Sequence, residues 1–160
     1  SLGFVSQRPT EELNSSNREH LLANIKVSVA SYVAERIKFD TTSSGVGGGR
    51  GSDFDTAMKI AHTMVWQYGM GKSGMIGDFH ALGQYSNAMI SEKTREPLDQ
   101  DVQDILRGCM KQVEEILTNK KDLLEFFAQE LYRKQELEYD EIVAIFDKFG
   151  LKSASRPDKI

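Results

Sequence analysis

The sequence predicts a mostly α fold, a helical bundle with a small irregular β element. Three observations predict it. Apolar residues recur at helical spacing in five stretches, near residues 21–37, 54–68, 102–117, 123–131 and 142–149. The chain has only three prolines in 160 residues, Pro9, Pro97 and Pro157, and all fall outside those stretches. Its glycines concentrate at 45–51 and between Gly69 and Lys93, where no helical period persists.

The elements follow in chain order. Leu2 to Val5 is a short apolar piece that reads as a strand, and its position at the start makes it look like the end of something longer. Gln7 to Asn14 is a polar loop. Ser16-Asn17-Arg18-Glu19 reads as a capping box, Ser16 capping the N3 amide while Glu19 reaches back. The helix it opens runs to about Phe39 and carries two apolar stripes. One holds Leu22, Ile25, Val29, Tyr32 and Val33; the other holds Ala23, Val27, Ala30, Ala34 and Ile37. A helix apolar on two faces is expected to be buried between other elements. Asp40 to Gly51 reads as a flexible loop. Ser52, a good N-cap residue, opens a helix that stops near Gly69, a natural left-handed terminator. The stripe expected to be buried on it holds Phe54, Ala57, Met58, Ala61, Val65 and Tyr68. Gly69 to Lys93 reads as loops with one β-hairpin. After Pro97, Val102, Ile105, Leu106, Cys109, Val113, Ile116 and Leu117 give a helix that Asn119 breaks. Leu123, Leu124, Phe127 and Leu131 mark the next, ending before Leu137. Ile142, Val143, Phe146 and Phe149 mark a short last helix closed by Gly150. One domain over residues 1–150 and a flexible tail at 151–160 are therefore expected.

Charge and composition exclude several classes. The formal net charge is −4, and Lys and Arg are dispersed, so neither nucleic acid nor an anionic membrane surface is an expected partner. No apolar run approaches the roughly 20 residues of a membrane-spanning helix, and the N-terminus lacks a signal-peptide pattern. The lone cysteine, Cys109, excludes an internal disulfide and fits a reducing compartment.

The residue that draws attention is Asp53, where a glycine-rich loop meets a helix. Four residues before Ala57, it tops the apolar stripe, so its carboxylate points toward an interior or a cleft where a cation could meet it. Aspartate in a first helical turn is also favoured by the helix dipole alone. The three histidines, His20, His62 and His80, include no i, i+4 pair that could place two metal ligands on one face. His62 lies on the Asp53 helix about 13 Å along the axis at roughly 1.5 Å per residue, too far to share a metal with Asp53; it reads as a partly buried structural histidine. Gly71-Lys72-Ser73 supplies only the ending of a phosphate-binding P-loop, and the glycine spacing from Gly45 fails the dinucleotide fingerprint. Glu114-Glu115 and Glu136 to Glu141 read as solvated helix faces and caps. No Ser/His/Asp or Cys/His set is present in the pattern.

Nearly the whole chain, Leu2 to about Phe149, resembles the later part of the FtsH-type zinc metallopeptidase domain. Asp53-Phe54-Asp55-Thr56-Ala57-Met58-Lys59-Ile60-Ala61, continuing to Met64-Val65 and Gln67-Tyr68-Gly69-Met70, is similar to that family's N-D-[IL]-x-x-A-T-x-[IL]-A…M-V-x-x-[FWY]-G-M segment. Leu2-Gly3-Phe4 resembles its L-G-[YF] strand, and Leu21 to Phe39, with Ala34-Glu35, resembles the helix ending in its acidic pair. The segments Ile116 to Leu123 and Leu137 to Phe146 resemble its closing helices.

The resemblance implies that Asp53 is the third protein ligand of a catalytic zinc, the other two and the general base coming from an HExxH helix. No HExxH occurs in this sequence, and the resemblance places it just before Ser1. It further implies an ATP-dependent endopeptidase with ATP on a separate module, a hexameric parent, and unfolded or membrane-protein substrates. The parent would be membrane-anchored with this part on the cytoplasmic side, without direct membrane contact by this segment. The Leu2 to Val5 edge could hold an extended substrate by β-addition. The chain departs from the pattern where Ala30-Ser31-Tyr32 replaces G-G-R, where Ser52 replaces Asn, and in its longer Gly45 to Gly51 loop. The alternative from a different class is a non-catalytic helical scaffold derived from the same fold, with Asp53 only starting its helix.

Overall fold

A computed structural model describes residues 17–39, 53–85 and 90–151. These form six helices: α1 (Arg18–Phe39), α2 (Asp53–Trp66), α3 (Phe79–Tyr85), α4 (Glu92–Asn119), α5 (Lys121–Lys134) and α6 (Tyr139–Lys148). The fold is mostly α, and no strand occurs among the described residues. The hairpin expected between Gly69 and Lys93 is replaced there by turns and α3. The Leu2 to Val5 strand, the Gly45 to Gly51 loop and most of the tail lie outside the described residues.

The centre of the bundle is α1, which packs against α2, α4, α5 and α6. Its two apolar stripes explain this: Ile25, Val29 and Val33 on one and Val27, Ala30 and Ala34 on the other are all buried. Asn24, also buried, accepts a hydrogen bond from the Tyr139 hydroxyl, which ties α6 to α1. Exposed ion pairs from Arg36 to Glu114 and from Lys38 to Glu125 join the end of α1 to α4 and α5. Among the described residues the cap of α1 comes from Asn17, whose Oδ1 accepts the His20 N–H at 2.9 Å; Ser16, expected in that role, lies outside them.

The face that α2 turns to the core is Ala57, Ile60, Ala61, Met64 and Val65. Phe54, Met58 and Tyr68, expected on the buried stripe, are 38%, 43% and 56% exposed. The contact is centred on the small residues Ala57 and Ala61, which let the helices approach closely and leave the bulkier side chains at the flank. Phe54 keeps an edge-on contact with Tyr32, ring centroids 5.0 Å apart. At its other end, α2 is closed by Gly69 at φ 66° and by the Met70 N–H donating to the Met64 carbonyl at 2.9 Å.

The long helix α4 begins at Glu92, before Pro97 rather than after it. Ser91 caps it, its side chain accepting from the Thr94 N–H at 3.4 Å. Pro97 therefore sits in the second turn and removes one ladder bond there. Buried Leu98, Val102, Ile105, Cys109, Val113 and Leu117 form its inner stripe. α5 contributes Leu123, Phe127 and Leu131, and α6 Ile142, Val143, Ile145 and Phe146. Glu138 and Glu141 form a reciprocal capping box at the start of α6, so this part of the acidic run has a local structural role.

Candidate functional site

Asp53 is the first residue of α2 and is half-buried. Its position follows from the local sequence: the helical period that sends Ala57 and Ala61 inward carries the residue one turn earlier to the rim of the core. Burial pushes its carboxyl up to about 6, and the nearby carboxylates of Glu136, Glu35 and Glu138 push in the same direction. Three parts of the chain thus bring negative charge to one place: the start of α2, the end of α1 and the turn between α5 and α6. A half-desolvated carboxylate among other carboxylates is an unfavourable anion alone and a favourable partner for a cation. Among the described residues, however, no three His, Cys, Asp or Glu side chains are grouped closely enough to hold a metal ion. Asp53 can therefore supply one ligand of a set whose other members these residues do not provide.

A profile of peptidase family M41 matches residues 1–145. The chain belongs to peptidase family M41. Among relatives it is 36% identical over 153 residues to the "ATP-dependent zinc metalloprotease FtsH" of Pelodictyon phaeoclathratiforme, covering 91% of this chain and 22% of that protein. It is 33% identical over 149 residues to the protein of the same name from Aster yellows witches'-broom phytoplasma, covering 89% and 20%. It is 29% identical over 159 residues to that of Bacillus subtilis, covering 91% and 24%. The chain thus spans between a fifth and a quarter of the length of these relatives.

Within this M41 segment the remaining candidate residues lie on four different helices. His62 is partly buried and stacks on Trp66, ring centroids 4.7 Å apart and planes 14° apart. His20 lies in the first turn of α1, and His80 lies on α3 rather than in a loop. Cys109 is buried, and burial pushes its thiol up to about 11. No helix among the described residues is long and apolar enough to cross a membrane.

Sequence reasoning missed Asp101. It is only 3% exposed on the inner side of α4, and its carboxylate accepts hydrogen bonds from the Ser73 N–H at 3.3 Å and from the Ser73 hydroxyl. Gly71 is packed so closely on this carboxylate that a Cβ there would collide with it. Lys72 forms an ion pair with Asp104 at 3.2 Å. The Gly71-Lys72-Ser73 turn therefore spends its donors on two α4 carboxylates, an arrangement that would repel a phosphate. This disposes of the P-loop reading. The available signal was Asp101 itself, an acidic residue three positions from Leu98 and four from Ile105 on the inner stripe.

Proposed function

We propose that residues 1–150 are the C-terminal part of the peptidase domain of an ATP-dependent zinc metalloendopeptidase, and that Asp53 is its third protein zinc ligand. The observation that carries the reading is the half-buried Asp53 carboxylate at the start of α2, acted on by Glu136, Glu35 and Glu138, in a chain of family M41. The donor chemistry fits, since a carboxylate oxygen is an ordinary zinc ligand. An HExxH helix preceding Ser1 in the parent would supply two histidines and the general base. Zinc bound there would lower the pKa of its water for attack on a peptide carbonyl. This chain's part is to fix the carboxylate at a rigid helix start and to wall the site with α1, α2 and the α5–α6 turn.

ATP would act on a separate module of the parent, a homohexamer taking unfolded or membrane-protein substrates. This segment would stand on the cytoplasmic side of a membrane-anchored polypeptide. One carboxylate is too few ligands for tight zinc binding, so the 160-residue chain with added zinc should not digest casein. Chelator-sensitive cleavage by the chain alone would overturn that division of labour.

The deciding experiment is the zinc content of the complete peptidase domain, with HExxH present, measured by elemental analysis for the native sequence and for Asp53→Asn. Loss of most of the zinc in the variant supports the ligand role. Unchanged zinc content would remove the ligand assignment and leave Asp53 as a helix-start residue.

A further inference from the structure

Away from Asp53, a cavity of about 190 Å³ opens between the first turn of α1 and the middle of α4. An engineered protein cavity of about 150 Å³ holds a benzene-sized molecule, so this one admits a ligand of roughly amino-acid size. Leu22 and Ile105 are its apolar lining. Its polar lining carries both signs of charge: Arg18 and Lys72 against Asp101 and Asp104. Part of this polar capacity is unused. Asp101 is taken by Ser73. Arg18 spends its Nε–H on the Met70 carbonyl at 3.4 Å, and its two amino groups have no carboxylate partner among the described residues. Asp104 Oδ1 accepts from Gln100 at 3.0 Å, whereas its Oδ2 is buried and accepts no hydrogen bond. Lys72 Nζ lies 3.2 Å from that oxygen as an ion pair without hydrogen-bond alignment, on a side chain that is 76% exposed. A buried carboxylate oxygen without a donor is costly, and a solvent-exposed lysine offsets little of that cost.

Gly108 is an independent sign at the same place. It lies in the middle of α4, where glycine is among the least favourable residues. A Cβ there would meet no atom within 4 Å. Packing within the described chain therefore does not demand a glycine. Gly108 lines the cavity, and a side chain at this position would take up space at its wall.

We propose that this cavity binds a small zwitterion, an α-amino acid with an apolar side chain. Its carboxylate accepts from the two free amino groups of Arg18, whose fork matches a carboxylate. Its ammonium donates to Asp104 Oδ2 in place of Lys72, which swings out into the water it already faces. Its side chain lies on Leu22 and Ile105 beside Gly108. The lining charges balance, two cations against two carboxylates, so a ligand of zero net charge with separated poles fits where a phosphate does not. The site is separate from the zinc assignment of Asp53 and stands or falls without it.

The test titrates the 160-residue chain with L-leucine and follows its amide resonances by NMR. Saturable shifts centred on residues 70–73 and 104–109 are expected. Two analogues each lack one pole: 4-methylpentanoate has no ammonium and 3-methylbutylamine no carboxylate. Each should bind at least about tenfold more weakly than leucine, because one charged partner is left unmet. Arg18→Gln should weaken leucine by a similar factor. Gly108→Leu fills the cavity with a good helix former, so it should abolish the shifts while the circular dichroism spectrum stays native. No saturable shift in the native chain up to about 20 mM leucine, a ceiling well above millimolar dissociation constants, would overturn the site. Undiminished leucine binding in a folded Gly108→Leu chain would overturn it too. An analogue binding as tightly as leucine would sink the zwitterion assignment. The analogue series needs only the native chain, so it decides the matter even where a variant fails to fold.

Discussion

Asp53, which starts α2, and Asp101, which holds the turn after α2, are both carboxylates withdrawn from water, and their surroundings differ in kind. Asp101 is nearly fully buried and satisfied, accepting from the Ser73 amide and hydroxyl while Gly71 leaves room for it. Asp53 is half-buried, and the charges acting on it are other carboxylates. A satisfied buried carboxylate fixes structure. A crowded one carries an electrostatic cost in the folded chain, which a bound cation would offset. The contrast separates the two ends of one helix into a fastened end and a charged end.

The largest effect that would test this contrast is expected from Gly71→Ala. The added methyl collides with the Asp101 carboxylate, so the turn must shift and its hydrogen bonds weaken. The expected cost is about 2–3 kcal/mol in urea denaturation. A neutral outcome would mean that the turn is not fastened as described. Next, Asp101→Ala leaves Ser73 without its acceptor and should cost about 1–2 kcal/mol in the same assay.

Asp53→Asn should go the other way. A carboxyl raised from 3.8 to about 6 is favoured in the folded chain when protonated and costs stability when ionised at pH 7. Removing the charge should therefore stabilise the metal-free chain. The gain should be only about 1 kcal/mol, because the group remains half in water. Destabilisation instead would place Asp53 with Asp101 as a structural residue. In the smallest test, Lys72→Ala should change stability by no more than about 0.5 kcal/mol, since its ion pair with Asp104 is solvent-exposed at the lysine.

Much of the fold was legible because the helical period is strong where burial is one-sided or complete. The double stripe of α1 announced its central position, and the breaks at Asn119 and Gly150 fell where the helices end. Three features were not legible, each for a local reason. Pro97 reads as a helix boundary, yet Ser91 opens α4 six residues earlier and the helix tolerates the lost bond. Phe54, Met58 and Tyr68 have the right spacing to be buried, but spacing does not say which part of a wide stripe faces the neighbour; the pair Ala57 and Ala61 does. Asp101 has the spacing of the inner stripe, but only the fold brings its partner Ser73 to it. At the candidate site, the sequence singled out Asp53 but not Glu35 and Glu136 beside it, because that grouping depends on how α1 and the α5–α6 turn pack.

The buried Cys109 gives the chain an internal clock. Its thiol is shielded by α1, where it approaches the Leu22 carbonyl at 3.7 Å, and its raised pKa leaves almost no thiolate at neutral pH. Cys109 is only 3% exposed, so an alkylating reagent should reach it mainly when α1 and α4 part. The rate of labelling under native conditions then counts openings of the bundle's central seam. A chain with one such sulfur reports on its own seam without an engineered probe.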